Sequence, residues 1–430
     1  MAFYLNVGYT FKRPPVSGVE QGVIIASAMP MHVLERRNID ERYPHLERRL
    51  LDPQLYLAGL SASASPGACA NLASYPWFGV QGLNDFDSAL HKQSGWKKDA
   101  EKKIAKQWPG APLSDPKEIE IATQEAVEFQ VRLGCEAIIL PSPLTRDPGT
   151  DYSFEIQWLE SGLRQAQAYG KGLPVLATVA IQDLCLLAAE PDSNPLLEII
   201  ADSVSARGVD GVYLVIEQGS EASDTRQCGN FRVLQSALHL THTLAQDAGI
   251  RVFVNFLGAF GLACVAAGAE SWASGWYKSL YRMKLSDKQA GGRAFPTYWS
   301  DGMATDVHLQ RDLDTLARGA AFASVATMTP PSAGLLNALS NGRTVASVPD
   351  WTWRQSNIAS AQEHFIHAMA RFDQRLQPLT TQARINTVHD WLKQASTLAS
   401  TVGPQLESTK LSHVSAWEAA FTAYRRDHNV

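Results

Sequence analysis

Residues 115–140 read DPKEIEIATQEAVEFQVRLGCEAIIL, which is a helix, a stop signal and a strand in succession. Asp115 is a capping residue, Pro116 suits the first helical position, and Glu118 completes a capping box. Ile119, Ala122, Ala126, Phe129 and Leu133 then fall on one stripe, so the segment is expected to lay an apolar face on a core. Gly134 suits the left-handed residue that ends a helix, and Glu136 to Leu140 is aliphatic and β-branched, as a buried strand should be.

The same unit recurs downstream. Gly170 precedes Val175 to Ala180, Gly208 precedes Gly211 to Ile216, and Gly249 precedes Arg251 to Phe256. Asn194 and Pro195 open a helix striped by Leu197, Ile200, Ala201 and Val204, and Asn230 to Ala248 reads as another. Strands that alternate with helices at this spacing pair in parallel through crossovers. Further strands are expected at Gly22 to Ala28, Gln54 to Gly59, Ser271 to Ser274 and Ala294 to Trp299, making eight. Eight strand-helix units over roughly 300 residues predict an α/β fold of the (β/α)8 TIM-barrel type. The competing open sheet with a dinucleotide site lacks support, because no G-x-G-x-x-G follows the first strand.

The barrel is thus placed at residues 1–330, with insertions at 61–114 and 284–308. Long insertions in compact domains are usually functional covers or disordered. Beyond about Pro330 the strand pattern stops and helical stripes replace it: Phe365, Met369, Phe372 and Leu376; Ile385, Val388, Leu392 and Ala395; Val414, Trp417, Phe421 and Tyr424. Residues 331–430 are therefore expected to be a helical extension, packed on the barrel or offered to a protein partner.

A net charge of -5 and 45% apolar residues describe an ordinary globular chain rather than a nucleic-acid coat. Between Trp96 and Trp108, however, Lys97, Lys98, Lys102, Lys103 and Lys106 are clustered, either as a solvated helix face or as a nucleic-acid contact. Five cysteines without a CxxC pair suit reduced thiols in a cytoplasmic protein. Met1 to Lys12 lacks the order of a secretion signal, and the apolar run Val252 to Ala269 reads as strand plus helix rather than a membrane span.

Barrel enzymes work at the carboxyl ends of their strands. There the sequence places two carboxylates, Asp183 and Glu217, on neighbouring strands, where environment can separate their pKa values into acid and base roles. Gln182, Gln218, Asn255, Ser61, Ser142 and Trp276 are candidates for binding a substrate. Gly258, Gly261, Ser274, Gly275 and Lys278 are candidates for a late-loop phosphate cradle. The same small residues also suit tight strand-helix packing. Two strand-end carboxylates equally permit a glycosidase-like hydrolase. No P-loop and no G-x-S-x-G elbow occurs, and no cofactor is implied. His239 and His242 are read as a surface feature rather than a metal site, since no carboxylate accompanies them at ligand spacing.

Val179-Ala180-Ile181-Gln182-Asp183, then Asp210-Gly211-Val212-Tyr213-Leu214-Val215-Ile216-Glu217-Gln218-Gly219, then Phe256-Leu257-Gly258 with Ala266-Ala267-Gly268-Ala269, resemble the second half of tRNA-guanine transglycosylase barrels. The resemblance covers about 100 residues in short motifs. It implies a purine contact for Gln182 and a base-binding turn after Ile216, where this chain carries Glu217 and Gln218. The family's nucleophilic Asp would fall near Ser271 or Trp272 and its second Asp near Ser61, and its cysteine-rich zinc site has no counterpart. The resemblance therefore implies a barrel that has lost or changed that reaction while keeping affinity for a nucleobase or nucleic acid, and the strand-end residues predict an enzyme or degenerate enzyme that binds a nucleobase, nucleoside or phosphorylated sugar at the carboxyl rim. The alternative expectation is a non-catalytic subunit of a larger assembly.

Overall fold

The computed structural model describes residues 2–7, 22–27, 29, 31, 34, 48–80, 103, 106–220, 226–288 and 295–430. Eight parallel strands form one sheet: β1 (Ala2–Val7), β2 (Gly22–Ala26), β3 (Arg49–Asp52), β4 (Ile138–Ile139), β5 (Val175–Gln182), β6 (Gly211–Glu217), β7 (Arg251–Asn255) and β8 (Ser271–Ser274). Their spatial order is β3-β2-β1-β8-β7-β6-β5-β4. The two edges meet, because the backbone N–H of Glu136 donates to the carbonyl of Arg49 at 3.0 Å. The sheet is thereby a nearly closed α/β barrel of the TIM type. Its strands read as continuous apolar runs because ring and helices cover both faces; all seven residues of β6 are buried.

Two of the eight strands differ from expectation. Gln54 to Gly59 is not a strand: Gln54 sits at φ 53, and a short 3-10 turn, Leu55–Leu57, follows. The strand lies just upstream at Arg49–Asp52, where charged residues at both ends hide it. At the other end, Thr297–Ser300 pairs antiparallel with Thr305–His308 in a separate hairpin, β9 and β10, outside the ring. Its place is taken by Ala2–Val7, which has no helix and glycine before it to announce it. β1 lies between β2 and β8, in parallel with both.

Helix caps follow the sequence closely. The Asp115 carboxylate accepts from the N–H groups of Lys117 (2.9 Å) and Glu118 (3.1 Å), Asn194 from Leu196 (3.1 Å), and Asn230 from Arg232 (3.1 Å). Gly134, Gly208 and Gly249 adopt φ values of 72°, 63° and 68°. Gly170 does not; at φ -76° it ends its helix in right-handed geometry, and the left-handed residues are Lys171 and Gly172.

The C-terminal region is helical, with Ala333–Ser340, Ile358–Leu376, Thr381–Val402 and Ser412–Asp427 as its main helices. Its apolar stripes, including Phe365, Met369, Leu392, Trp417 and Phe421, are buried within the chain and continuous with the barrel core. Trp417 donates its indole N–H to the carbonyl of Cys228 at 2.7 Å and packs on Phe260. The run Val252 to Ala269 is β7 followed by the helix Gly261–Ala267, and no described helix is long and apolar enough to cross a membrane. In the first insertion, Trp77 and Trp108 pin the described ends to the barrel rim through the carbonyls of Pro53 (2.9 Å) and Leu60 (2.8 Å). Lys103 and Lys106 are exposed; Lys97, Lys98 and Lys102 lie outside the described residues.

Candidate ligand site at the carboxyl rim

β5 and β6 run in register so that Gln182 stands beside Glu217. The Gln182 amide donates to Glu217 Oε2 at 3.3 Å, and the N–H of Leu285 donates to Oε1 at 3.1 Å. Glu217 is only 2% exposed. Burial pushes its carboxyl above the usual carboxylate range; the hydrogen bonds from Leu285 and Gln182 oppose this, and the charge of Asp183 reinforces it. Asp183 opens the short helix Asp183–Leu186 that follows β5 directly. One of its oxygens accepts from both the N–H (2.7 Å) and the hydroxyl (2.6 Å) of Ser220, while Oδ1 is buried without a partner among the described residues.

A strap of chain, Arg282 to Leu285, crosses these strand ends. Met283 bridges to Glu217 and accepts from the N–H of Gln218 at 2.7 Å, and Arg282 bridges to Leu257. Beneath it lies a group of buried polar side chains. The Gln218 amide donates to the carbonyl of Phe256 at 2.8 Å, but its Oε1 has no partner among the described residues. Neither amide atom of Gln227 has one, nor does the indole N–H of Trp276, while the hydroxyl of Tyr281 faces the Asp306 carboxyl. Gly258 makes this convergence possible: it adopts φ 58°, and a Cβ there would lie 2.2 Å from Gln227 Oε1 and 3.0 Å from the Tyr281 ring. Arg226 stacks over Trp276 at 5.2 Å and sits 3.9 Å from Asp306, whose carboxyl is held up by burial. Buried polar atoms are normally satisfied, so open donors and acceptors among the described residues make this group the candidate for holding a ligand.

The expected residues divide accordingly. Gln182, Asp183, Glu217 and Gln218 come together, with Trp276 and Gly258 in the adjoining group. Asn255 belongs instead to a closed network inside the ring. Its Oδ1 accepts from Asn6 (2.6 Å) and from the N–H of Phe256 (2.7 Å), and its amide donates to the hydroxyl of Tyr213. Tyr213 in turn donates to Asp52 at 2.9 Å, as does Tyr56. Ser61 is exposed and bonded to Ser63 at 2.8 Å, and Ser142 is buried with its hydroxyl 3.4 Å from the carbonyl of Pro143.

Of the small residues proposed around a phosphate, Gly261 makes room for the Trp272 ring and Gly275 for the Leu280 side chain, where a Cβ would come within 2.4 Å and 2.5 Å. Ser274 is fully buried, its hydroxyl 3.2 Å from the carbonyl of Gly275, and Lys278 begins the four-residue helix Lys278–Tyr281. Asp52, Tyr213, Asn6 and Gln227 were not anticipated, whereas Tyr281 stands in the aromatic cluster Trp272 to Tyr281 that the sequence offers for stacking a base or sugar. An Asp at the end of a strand was the available signal for Asp52, obscured by the misplaced strand. Gln227 carried none, since it lies at no strand end and reaches the site through the fold.

Among the described residues no group of three His, Cys, Asp or Glu side chains could hold a metal ion. The thiols of Cys135 and Cys264 are pushed up to about 12 by burial, so they are poor nucleophiles. No known protein family matches the chain, and no curated protein does.

Proposed function

We propose that the chain is a barrel enzyme acting on a small polar ligand at the carboxyl rim between β5 and β7, with Glu217 and Asp183 as its acid and base. The observation that supports this reading is the pairing of a burial-raised Glu217 with Asp183 on the neighbouring strand end. A carboxyl held above its ordinary range keeps its proton to higher pH than an exposed one, which suits the acid of such a pair. Asp183 offers a buried oxygen as acceptor. Gln182 holds the Glu217 carboxyl in orientation, and the open amides of Gln218 and Gln227, with Trp276 and Tyr281, supply donors and acceptors for a planar ligand of nucleobase or nucleoside size. For such a ligand to reach Glu217, the bond from Leu285 must open.

The resemblance to transglycosylase barrels favours nucleobase exchange or nucleoside hydrolysis over acyl or phosphoryl transfer. The full chain should therefore be screened against purine and pyrimidine bases and nucleosides by thermal shift and by chromatographic detection of base exchange or release. A hit is expected, and Glu217→Gln should lower its turnover by about 100-fold or more while leaving the unfolding temperature within a few degrees. Turnover unaffected by that change would reject Glu217, and the absence of any hit would reject the ligand class.

A further inference from the structure

The opposite end of the barrel carries a cavity with room of about 100 Å³ for solvent. A single water needs roughly 10–15 Å³ by that measure, so the space suits a small organic molecule rather than one trapped solvent. Its floor is apolar, formed by Leu50, Leu176, Phe253 and Val252 at the strand starts. Its edge is charged: Arg48, Glu136, Arg251 and Glu270 all line it, together with Tyr4.

These groups form two ion pairs. Arg48 Nε donates to Glu136 at 2.7 Å, and Arg251 engages both oxygens of Glu270. Tyr4 donates its hydroxyl to the other oxygen of Glu136, and the Arg48 guanidinium lies 5.2 Å from the Tyr4 ring centre. Gly22 makes this placement possible, because a Cβ there would lie 2.3 Å from the Tyr4 ring. Half-exposed ion pairs contribute only about 0–1 kcal/mol each, so stability alone accounts poorly for four charges around an apolar hollow.

We propose that this amino-terminal mouth binds a small zwitterion with an apolar body, of the α-amino acid type. A plain anion meets two carboxylates at the edge and a plain amine meets two guanidiniums, whereas a zwitterion satisfies both signs and buries its side chain on Phe253 and Leu176. Bidentate guanidinium contacts suit the carboxylate, and Glu136 and Glu270 suit the ammonium. The site is independent of the carboxyl rim.

The test uses the full chain with L-leucine, isovalerate and isoamylamine, each titrated to about ten times a millimolar Kd and followed by calorimetry and thermal shift. Leucine should bind and raise the unfolding temperature by about 1 °C or more, while the two single-charge analogues bind at least about tenfold more weakly. Glu270→Gln should weaken leucine binding by a similar factor with little change in stability of the free protein, since that pair is partly exposed. No heat and no shift with leucine, equal binding of all three compounds, or unchanged binding by Glu270→Gln would each overturn the proposal. If Glu270→Gln does not fold, the comparison of the three compounds on the unaltered chain decides.

Discussion

The indole N–H of Trp272 on β8 donates to the carboxylate of Asp373 at 2.9 Å, tying the ring to the helix Ile358–Leu376. Both residues are at most 1% exposed. Burial pushes the Asp373 carboxyl up, against hydrogen bonds from Gln377 and Trp272. Removing the donor leaves a buried oxygen unpaired, so Trp272→Phe should cost about 1–3 kcal/mol beyond its loss of volume. Asp373→Asn keeps an acceptor for the indole and removes a buried charge, and should cost less. Denaturant unfolding of the two variants at neutral pH checks the order; an equal or reversed cost would show that the hydrogen bond does not couple the two regions.

Two glycines should respond very differently to alanine. At Gly302 the new Cβ would lie 1.9 Å from the backbone carbonyl oxygen of Ser324, which cannot swing away as a side chain would. At Gly134 the space is open and only the φ of 72° is unfavourable. Gly134→Ala should therefore cost about 1–2 kcal/mol, and Gly302→Ala about 3 kcal/mol or more. Thermal unfolding of the pair measures both.

Acid should weaken the chain through one buried imidazole, His364, and one half-buried, His428. His364 is fully buried, bonded to Thr329 (2.7 Å) and to the carbonyl of Trp299 (2.8 Å), and burial pushes it down to about 4. His428 is also held down to about 4, by burial and then by the neighbouring His242 and His239; Asp247 and Asp427 oppose this. His428 meets His239 at 3.2 Å, and its ring lies tilted against that of His242 with centres 4.0 Å apart. A folded pKa below the unfolded value near 6.5 means that the unfolded chain binds the extra proton between those limits. Stability is thus complete above about pH 6.5 and is lost as pH falls toward 4, by about 3 kcal/mol from His364 alone. Unfolding free energy measured from pH 7 to pH 4.5 should fall, and His428→Gln should flatten the slope. A pH-independent profile would contradict it.

The sequence showed the fold class wherever a helix, a stop and a strand stood together, as at Asp115–Leu140, because caps and stripes are local. β1 was missed because a strand without a preceding helix has no such punctuation. β3 was displaced because only two apolar residues stand between its charged ends, and Asp52 is buried against the hydroxyls of Tyr213 and Tyr56, which are remote in sequence or hidden in the turn that follows. The carboxylates at strand ends were visible for the same local reason. Gln227 was not, since only the turn at Gly258 and the strap at Arg282 to Leu285 bring it to the rim. The charged hollow was equally invisible: Tyr4, Arg48, Glu136, Arg251 and Glu270 come from separate strand starts and share nothing in sequence.

The bond between Trp272 and Asp373 spans 101 positions of chain. During synthesis every strand of the ring has been made by Ser274, yet the helix that carries Asp373 has still to emerge. At about 5–20 residues per second the indole waits on the order of 5–20 s for its partner. Throughout that interval the ring has all its strands while the indole lacks its acceptor, so strand pairing can precede this bond and the emergence of Asp373 times only the closure of the helical layer.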